Sequence, residues 1–186
     1  IAANNAILDI DRERIELAVR YCPSASAPAG AVRLFGEEVF PVCAPGLRGL
    51  NGQPLKVPED LRHHVLLEQE HAETERPSGS WTMWLEAMGL HRFKPAGSLR
   101  FSHYDQLIQA AIDGQGVALG ISPLVRRHMS LNRLVAPFEH RIATPRAYHL
   151  IVARHAAGRA DVAAFVDWLM RNASQEDEAA LRLGRR

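Results

Sequence analysis

The chain has 186 residues, 47% hydrophobic and 23% charged, which is the composition of an ordinary globular protein rather than a disordered one. Its 22 lysines and arginines balance 21 acidic residues, so no excess of positive charge indicates a nucleic-acid surface within these residues. The longest apolar runs are too short to span a bilayer, so no membrane association is expected.

The two cysteines, Cys22 and Cys43, are too few for a disulfide framework, and they fit a reducing cytoplasm. Neither lies in a Cys-x-x-Cys motif or beside an obvious activating base, so we expect both to pack as small apolar residues. The chain starts at Ile1 without a basic and apolar leader, and we expect it to be a fragment.

The first third of the chain predicts two strands. Residues 6–13 fit a short helix, and residues 15–21 alternate apolar with other side chains as a strand does. A loop rich in proline and serine is expected at 23–30. The apolar run at 39–43 predicts a buried strand, in which Pro41 would fit a sheet edge or a crossing between two lobes.

The middle of the chain predicts helices and strands in alternation. A short helical turn at 58–61 leads to a strand at 65–67. Trp81 and Trp84 share one face of a predicted helix that ends at Gly89; this spacing favours a core position over a stacking site for a ligand.

The stretch from residue 97 to residue 125 is the most informative. A strand at 98–101 is followed by Ser102, a suitable N-cap, and by a helix with apolar residues at 107, 108, 111 and 112. A strand at 117–120 follows, and Ser122-Pro123 is expected to open a further helix. The order strand, helix, strand predicts a parallel sheet.

The last third predicts a strand at 148–154 and an amphipathic helix with Val162, Phe165, Val166 and Leu169 on its apolar face. The charged tail from residue 174 is expected to be mobile at its end. These elements together predict an α/β fold.

The sequence lacks the motifs of several kinds of catalytic and metal-binding site. The chain contains no Gly-x-Ser-x-Gly, no His-Glu-x-x-His and no zinc-like ligand spacing. The adjacent His63 and His64 would point apart. The glycines of GQGVALG at 114–120 precede a strand, whereas a dinucleotide-binding turn leaves one. We therefore expect no enzyme activity, no metal and no cofactor.

One place carries binding chemistry. A helix that begins after Phe101 offers unpaired N–H groups to an anion, and Ser102, His103 and Tyr104 lie at its start. The alternative is that Ser102 only caps the helix while the other two side chains face solvent. Arg20 and Tyr148, near strand ends, are either binding residues or ordinary strand-end residues.

Six segments in order resemble the effector-binding domain of LysR-type transcriptional regulators, in particular the glycine-cleavage-activator and AmpR-like branch. They are IELAVRY at 15–21, EEVFPVCAP at 37–45, WTMWLEAMG at 81–89, QAAIDGQGVALG at 109–120, RLVAPF at 133–138 and FVDWL at 165–169. No single segment is decisive, but the ordered set is specific and extends from residue 4 to about residue 173.

The resemblance implies two Rossmann-like α/β lobes joined by two crossing strands, as in type II periplasmic binding proteins. Lobe I would comprise residues 1–40 and 148–186, without its first strand and helix, and lobe II residues 41–147. The crossings would lie near 39–42 and 147–150. The helix-turn-helix DNA-binding domain of the family is absent from this chain.

The resemblance also implies which residues bind a ligand between the lobes. The residues carried over are Ser102, His103, Tyr104, Tyr148, Arg20, Tyr21, Cys22, Asn4 and Asn5. Cys22-Pro23 replaces the Gly-Asp that this branch often has, and His103 and Tyr104 are bulkier than the usual hydroxyl residues. A relative's ligand therefore cannot be assumed.

The implied function is that of a cytoplasmic regulator's sensing domain. It would bind a small effector, expected to be anionic, self-associate as a homodimer or homotetramer, and act on promoter DNA through the absent domain. The first alternative is a solute-binding protein of a transporter, which would need an export signal. The second is a small enzyme of the same fold, for which the sequence offers only His103 with Tyr104.

Overall fold

The structure, a computed structural model, describes residues 8–70 and 80–183, with side chains up to residue 174. The chain divides into two compact units: one comprises Ile1–Gly36 with Pro145–Arg186, and the other comprises Glu37–Thr144. The strands β2 (Val32–Val42) and β6 (Ile142–Val152) each run across the boundary between the units. The second unit is therefore inserted into the first at two neighbouring strands.

The first unit contains β1 (Leu17–Pro23) and the long helix α4 (Ala160–Leu183). Its strand order is β1-β6-β2, and β1 is antiparallel to β6, with Leu17 opposite Val152 and Pro23 opposite Arg146. Ala156 and Val162 are buried in one apolar cluster of this unit, and Leu150 is buried in another.

The second unit is an α/β sandwich. Its strands are the end of β2, then β5 (Val117–Ser122), β3 (Val65–Gln69) and β4 (Gly97–Phe101), in that order. Strand β3 is parallel to both β4 and β5, whereas β2 is antiparallel to β5. The predicted parallel core is confirmed, and the antiparallel β2 makes the sheet mixed.

Helices cover this sheet from two sides, because successive strand residues point to opposite faces. Helix α1 (Trp81–Ala87) packs in one buried cluster with Val39 and Leu66, and helix α2 (Tyr104–Ile112) packs in another with Phe40 and Leu67. Helix α3 (Arg126–Ser130) follows β5. The expected core position of Trp81 and Trp84 is confirmed, since both are buried.

Several local predictions were wrong. Residues 10–14 form a turn and not part of a helix at 6–13, of which residues 6 and 7 lie outside the described range. The strand expected at 39–43 begins seven residues earlier, at Val32. Pro41 is opposite Leu119 of β5, on the strand that runs from one unit into the other. Ser122 ends β5 and does not cap a helix.

The exposed side chains of the first unit also differ from prediction. On β1, Val19 is 48% exposed and Tyr21 is exposed, although both stand at apolar positions of the alternating pattern. On α4, Phe165 and Trp168 are exposed and stack on each other with ring centroids 5.5 Å apart. Helix α4 continues to Leu183 through the segment predicted as a charged tail.

Candidate functional site

The start of α2 lies where parallel strands end. Strand β4 ends at Phe101 and β3 at Gln69, and the two residues are register partners. The next residues of the two segments, Ser102 and Glu70, therefore lie side by side at the carboxyl edge of the sheet. In open α/β sheets this edge is where ligands bind, and the predicted residues at the start of α2 lie at it.

Ser102 does not cap the helix. The N-cap residue is His103, whose side chain makes no capping hydrogen bond. The Ser102 hydroxyl instead donates to Glu70 Oε2 at 3.2 Å. Both side chains are exposed. A carboxylate that the sequence did not predict to be in the site thus lies beside the residue expected to hold an anion.

Tyr104 is tied to the sheet rather than directed to solvent. Its phenolic oxygen accepts a hydrogen bond of 2.7 Å from the Ile121 N–H, near the end of β5, and its ring packs against the cluster that contains Phe40 and Leu107. His103 is exposed. The alternative in which both His103 and Tyr104 merely face solvent therefore holds for His103 alone.

Four predicted residues of the first unit lie on two different faces of its sheet. Tyr21 is opposite Tyr148 in the β1–β6 register, and their ring centroids are 5.0 Å apart. Arg20 and Cys22 point the other way, because strand residues alternate between faces. The strand therefore does not bring all four side chains together on one surface.

The aromatic pair extends into a small group. The Phe35 ring lies 4.8 Å from that of Tyr148, and the Arg146 guanidinium lies 4.5 Å from the centre of the Tyr21 ring. A guanidinium over an aromatic face is attracted by the ring's negative charge distribution. Tyr21 and Tyr148 are thus held by neighbours, and Tyr148 lies within β6 rather than at its start.

On the other face, Arg20 donates from Nη2 to the Leu8 carbonyl oxygen at 2.9 Å. Cys22 Sγ lies 3.6 Å from His149 Nδ1. The expectation that no activating base lies near either cysteine is therefore wrong for Cys22. Cys43 follows the expectation, since it is buried and burial raises the pKa of its thiol to about 11. Asn4 and Asn5 lie outside the described residues.

Three polar residues that form side-chain pairs were not predicted from the sequence. Glu70 and His149 are paired with Ser102 and Cys22, and Glu37 is a buried acid whose Oε1 accepts a 2.9 Å hydrogen bond from Thr144 Oγ1. The Thr144 partner is 107 residues from Glu37. No local pattern signals such pairs, although two adjacent acids inside a strand, as at Glu37 and Glu38, are an unusual feature.

Metal and membrane chemistry can be checked within the described ranges. Among the described side chains, at 8–70 and 80–174, no group of three or more histidine, cysteine, aspartate or glutamate residues is placed to hold a metal ion. Across that same part of the chain, no helix has the length and apolarity needed to cross a membrane.

Comparison with known proteins identifies relatives of one kind. The family profile described as "LysR substrate binding domain" matches residues 1–174. The glycine cleavage system transcriptional activator of Escherichia coli K12 is 35% identical over 147 residues, which are 78% of this chain and 46% of that protein. The transcriptional activator AmpR of Pseudomonas aeruginosa is 27% identical over 95% of this chain and 56% of its own length. The chain thus spans about half the length of these curated relatives.

Solved structures give the same result. The effector domain of AmpR from Pseudomonas aeruginosa superimposes with a TM-score of 0.66 and 26% identity, covering 96% of this chain and 82% of that chain. The AmpR effector-binding domain from Citrobacter freundii gives a TM-score of 0.63 at 22% identity, covering 92% of this chain and 81% of its own. The fold is thus the periplasmic-binding-protein-like type II fold of such effector domains, as predicted.

Proposed function

The chain belongs to the LysR substrate-binding domain family, and from this premise we propose that it is the effector-sensing part of a cytoplasmic transcriptional regulator. It binds a small metabolite and self-associates as a homodimer or homotetramer. It acts on promoter DNA through a helix-turn-helix domain that is not among these 186 residues. The match of the family profile over residues 1–174 is the observation that carries the proposal. The relatives described above are transcriptional regulators rather than enzymes.

The proposed effector site starts at α2. The first N–H groups of this nine-residue helix have no partner within the helix and carry a partial positive charge. Ser102 adds a hydroxyl and the exposed His103 adds an imidazole at the same place. These groups favour an anion such as a carboxylate. Tyr148, Arg20, Tyr21, Cys22, Asn4 and Asn5 stay predicted contacts.

Glu70 narrows the kind of effector that fits. Its carboxylate bonds to Ser102, and it would repel a second negative charge brought close to that hydroxyl. An amine on the ligand would instead be attracted. We therefore propose an effector that carries a single carboxylate together with an amine, in other words a small zwitterion.

The regulator proposal is tested with DNA. The complete product of the gene and this chain alone are titrated against the DNA upstream of that gene at several stated salt concentrations, since phosphate contacts make affinity depend on salt. Sequence-selective binding by the complete product alone is expected. Absence of selective binding at every salt concentration would contradict the proposal and favour the solute-binding alternative.

The effector proposal is tested by ligand screening and substitution. Small amino acids, monocarboxylates and dicarboxylates are screened by thermal shift, and affinities of the hits are measured by calorimetry. Ser102→Ala is expected to weaken binding by about tenfold, and Ser130→Ala, a serine on α3 whose hydroxyl bonds to the Arg127 carbonyl, serves as the matched control.

Glu70→Gln distinguishes a zwitterionic effector from a simple anion. For a zwitterion, loss of the Glu70 carboxylate weakens binding, because the amine loses its partner. For a simple anion, the same change strengthens binding, because a repulsion is removed. Affinity unchanged by both Ser102→Ala and Glu70→Gln would contradict the placement of the site at α2.

A further inference from the structure

We propose that Cys22 and His149 form a reactive thiol–imidazole pair, and that hydroperoxides oxidise the chain at Cys22. This inference does not rest on the proposed effector binding, because the pair lies within the first unit and on the sheet face opposite Tyr21 and Tyr148. It assigns to Cys22 a modification site beyond the predicted ligand contact.

The pairing of β1 with β6 creates the geometry. Cys22 is opposite Ala147, and His149 is two residues further along β6 on the same face. This diagonal placement brings Cys22 Sγ to 3.6 Å from His149 Nδ1, which is a hydrogen-bonding distance for sulfur. With the ring proton on Nε2, Nδ1 accepts the hydrogen bond from the thiol.

His149 and Cys22 differ in solvent exposure. His149 is 3% exposed, so its ring is held among protein atoms, whereas Cys22 is partly exposed and open to a small reagent. Arg20 is opposite His149 in the register, and its Nη2 donates to the Leu8 carbonyl oxygen. An imidazole nitrogen at hydrogen-bonding distance from a partly exposed thiol is placed to take the thiol proton as the sulfur attacks.

The proposed reaction balances with a hydroperoxide as the only co-reactant. The thiol proton moves to His149 Nδ1 as the sulfur attacks the terminal peroxide oxygen. An S–O bond forms while the O–O bond breaks. The sulfur loses two electrons and becomes a sulfenic acid, and the departing oxygen takes the proton and leaves as an alcohol, or as water when the oxidant is hydrogen peroxide.

Cys43 provides an internal control, since it is 3% exposed and has no base at hydrogen-bonding distance among the described residues. Burial in apolar surroundings disfavours its thiolate and raises its pKa to about 11. Cys22 and Cys43 therefore differ both in solvent exposure and in the presence of a neighbouring base.

The first experiment uses the complete gene product without variants. It is treated with hydrogen peroxide at pH 7 in the presence of dimedone, and the labelled peptides are quantified by mass spectrometry over time. We expect labelling at Cys22 to be about tenfold faster or more than at Cys43, and faster than at Cys22 of the urea-unfolded chain. Equal rates for Cys22 in folded and unfolded protein would overturn the proposal, since the folded arrangement of Cys22 and His149 would then not accelerate the oxidation.

The second experiment separates the base from simple exposure. His149→Gln keeps a polar side chain but replaces the basic imidazole with an amide that does not take up the thiol proton. The rate of Cys22 labelling is expected to fall about tenfold or more. His155→Gln, at an exposed histidine of the same unit, is the matched control and should leave the rate unchanged. Thermal unfolding of both variants checks that they fold. A folded His149→Gln protein with an unchanged rate would exclude the role of His149.

Discussion

The phenolic oxygen of Tyr104 accepts a 2.7 Å hydrogen bond from the Ile121 N–H, so the first turn of α2 is joined to the end of β5. Tyr104→Phe leaves a partly buried N–H without this partner, and we expect a loss of about 1–2 kcal/mol in the free energy of unfolding. Urea denaturation measures it. Ser102→Ala, which removes an exposed hydroxyl two residues away, should cost less than about 0.5 kcal/mol. Equal losses would contradict a structural role for the Tyr104 bond.

Gly116 is fixed by close approach of the backbone. A Cβ atom at this position would lie 2.5 Å from the Val65 carbonyl oxygen and 3.1 Å from Leu67 Cδ2, and the pairing of β3 with β5 holds the Val65 backbone in place. Gly116→Ala is therefore expected to lower the free energy of unfolding by about 1–3 kcal/mol.

The control for that prediction is Gly97→Ala. Its added Cβ would meet nothing closer than Val65 Cγ2 at 3.9 Å, which is an ordinary contact. Denaturation curves for the two variants should differ clearly, and a Gly116→Ala protein as stable as Gly97→Ala would mean that β5 does not lie this close to β3.

His64 makes the stability of the second unit sensitive to acid. It is buried, and desolvation lowers its pKa from the ordinary value near 6.5. In the unfolded chain His64 takes up a proton as the pH falls below about 6.5, while the folded chain resists it. The unfolded state then binds more protons, so stability decreases as the pH falls from that value through the lower folded pKa.

The measurement is the urea midpoint of the wild type and of His64→Gln between pH 7.5 and pH 5. The slope in this window is expected to be smaller in the variant. His63→Gln, at the exposed neighbour, should keep the wild-type slope. If the two variants and the wild type had the same slope, His64 would not be responsible.

Two tryptophans are expected to contribute very differently to stability. Trp84 is fully buried and stacks on Phe138 with ring centroids 5.7 Å apart, whereas Trp168 is 51% exposed on α4. Trp84→Ala should cost about 3–5 kcal/mol, and Trp168→Ala less than about 1 kcal/mol. Iodide should quench the fluorescence of Trp168 far more than that of Trp84. Similar losses of unfolding free energy for Trp84→Ala and Trp168→Ala would show that the Trp168 side chain packs α4 against the rest of the protein.

The second unit could be predicted well because its signals are local. Strand, helix and strand follow each other from Gly97 to Ser122 with short connections, and each helix buries one regular apolar face. Gly114, at a positive φ of 75°, ends α2 as its position in the sequence indicates. The family resemblance added the arrangement of two lobes joined by two crossing strands, which periodicity alone does not determine.

The first unit and the site were harder for identifiable reasons. Val19 and Tyr21 had the correct strand period, but a period of two does not tell which face is covered by another element. Ser102 had the local pattern of an N-cap, yet a carboxylate 32 residues earlier in the chain takes its hydroxyl. His149 reaches Cys22 across 127 residues, and only the register of β1 against β6 sets that distance.

The insertion of one unit between β2 and β6 has a consequence for synthesis on the ribosome. Residues 37–144 form one contiguous stretch, so this unit can close its core as soon as its own last strand has left the exit tunnel. The first unit needs both ends of the chain, because β1 pairs only with β6. Strand β1 must wait, with its backbone N–H and C=O groups unpaired, until β6 has been made more than a hundred residues later. Chaperone dependence is therefore expected to depend on β1 and the first part of β2, which are made before residues 37–144 but fold after them.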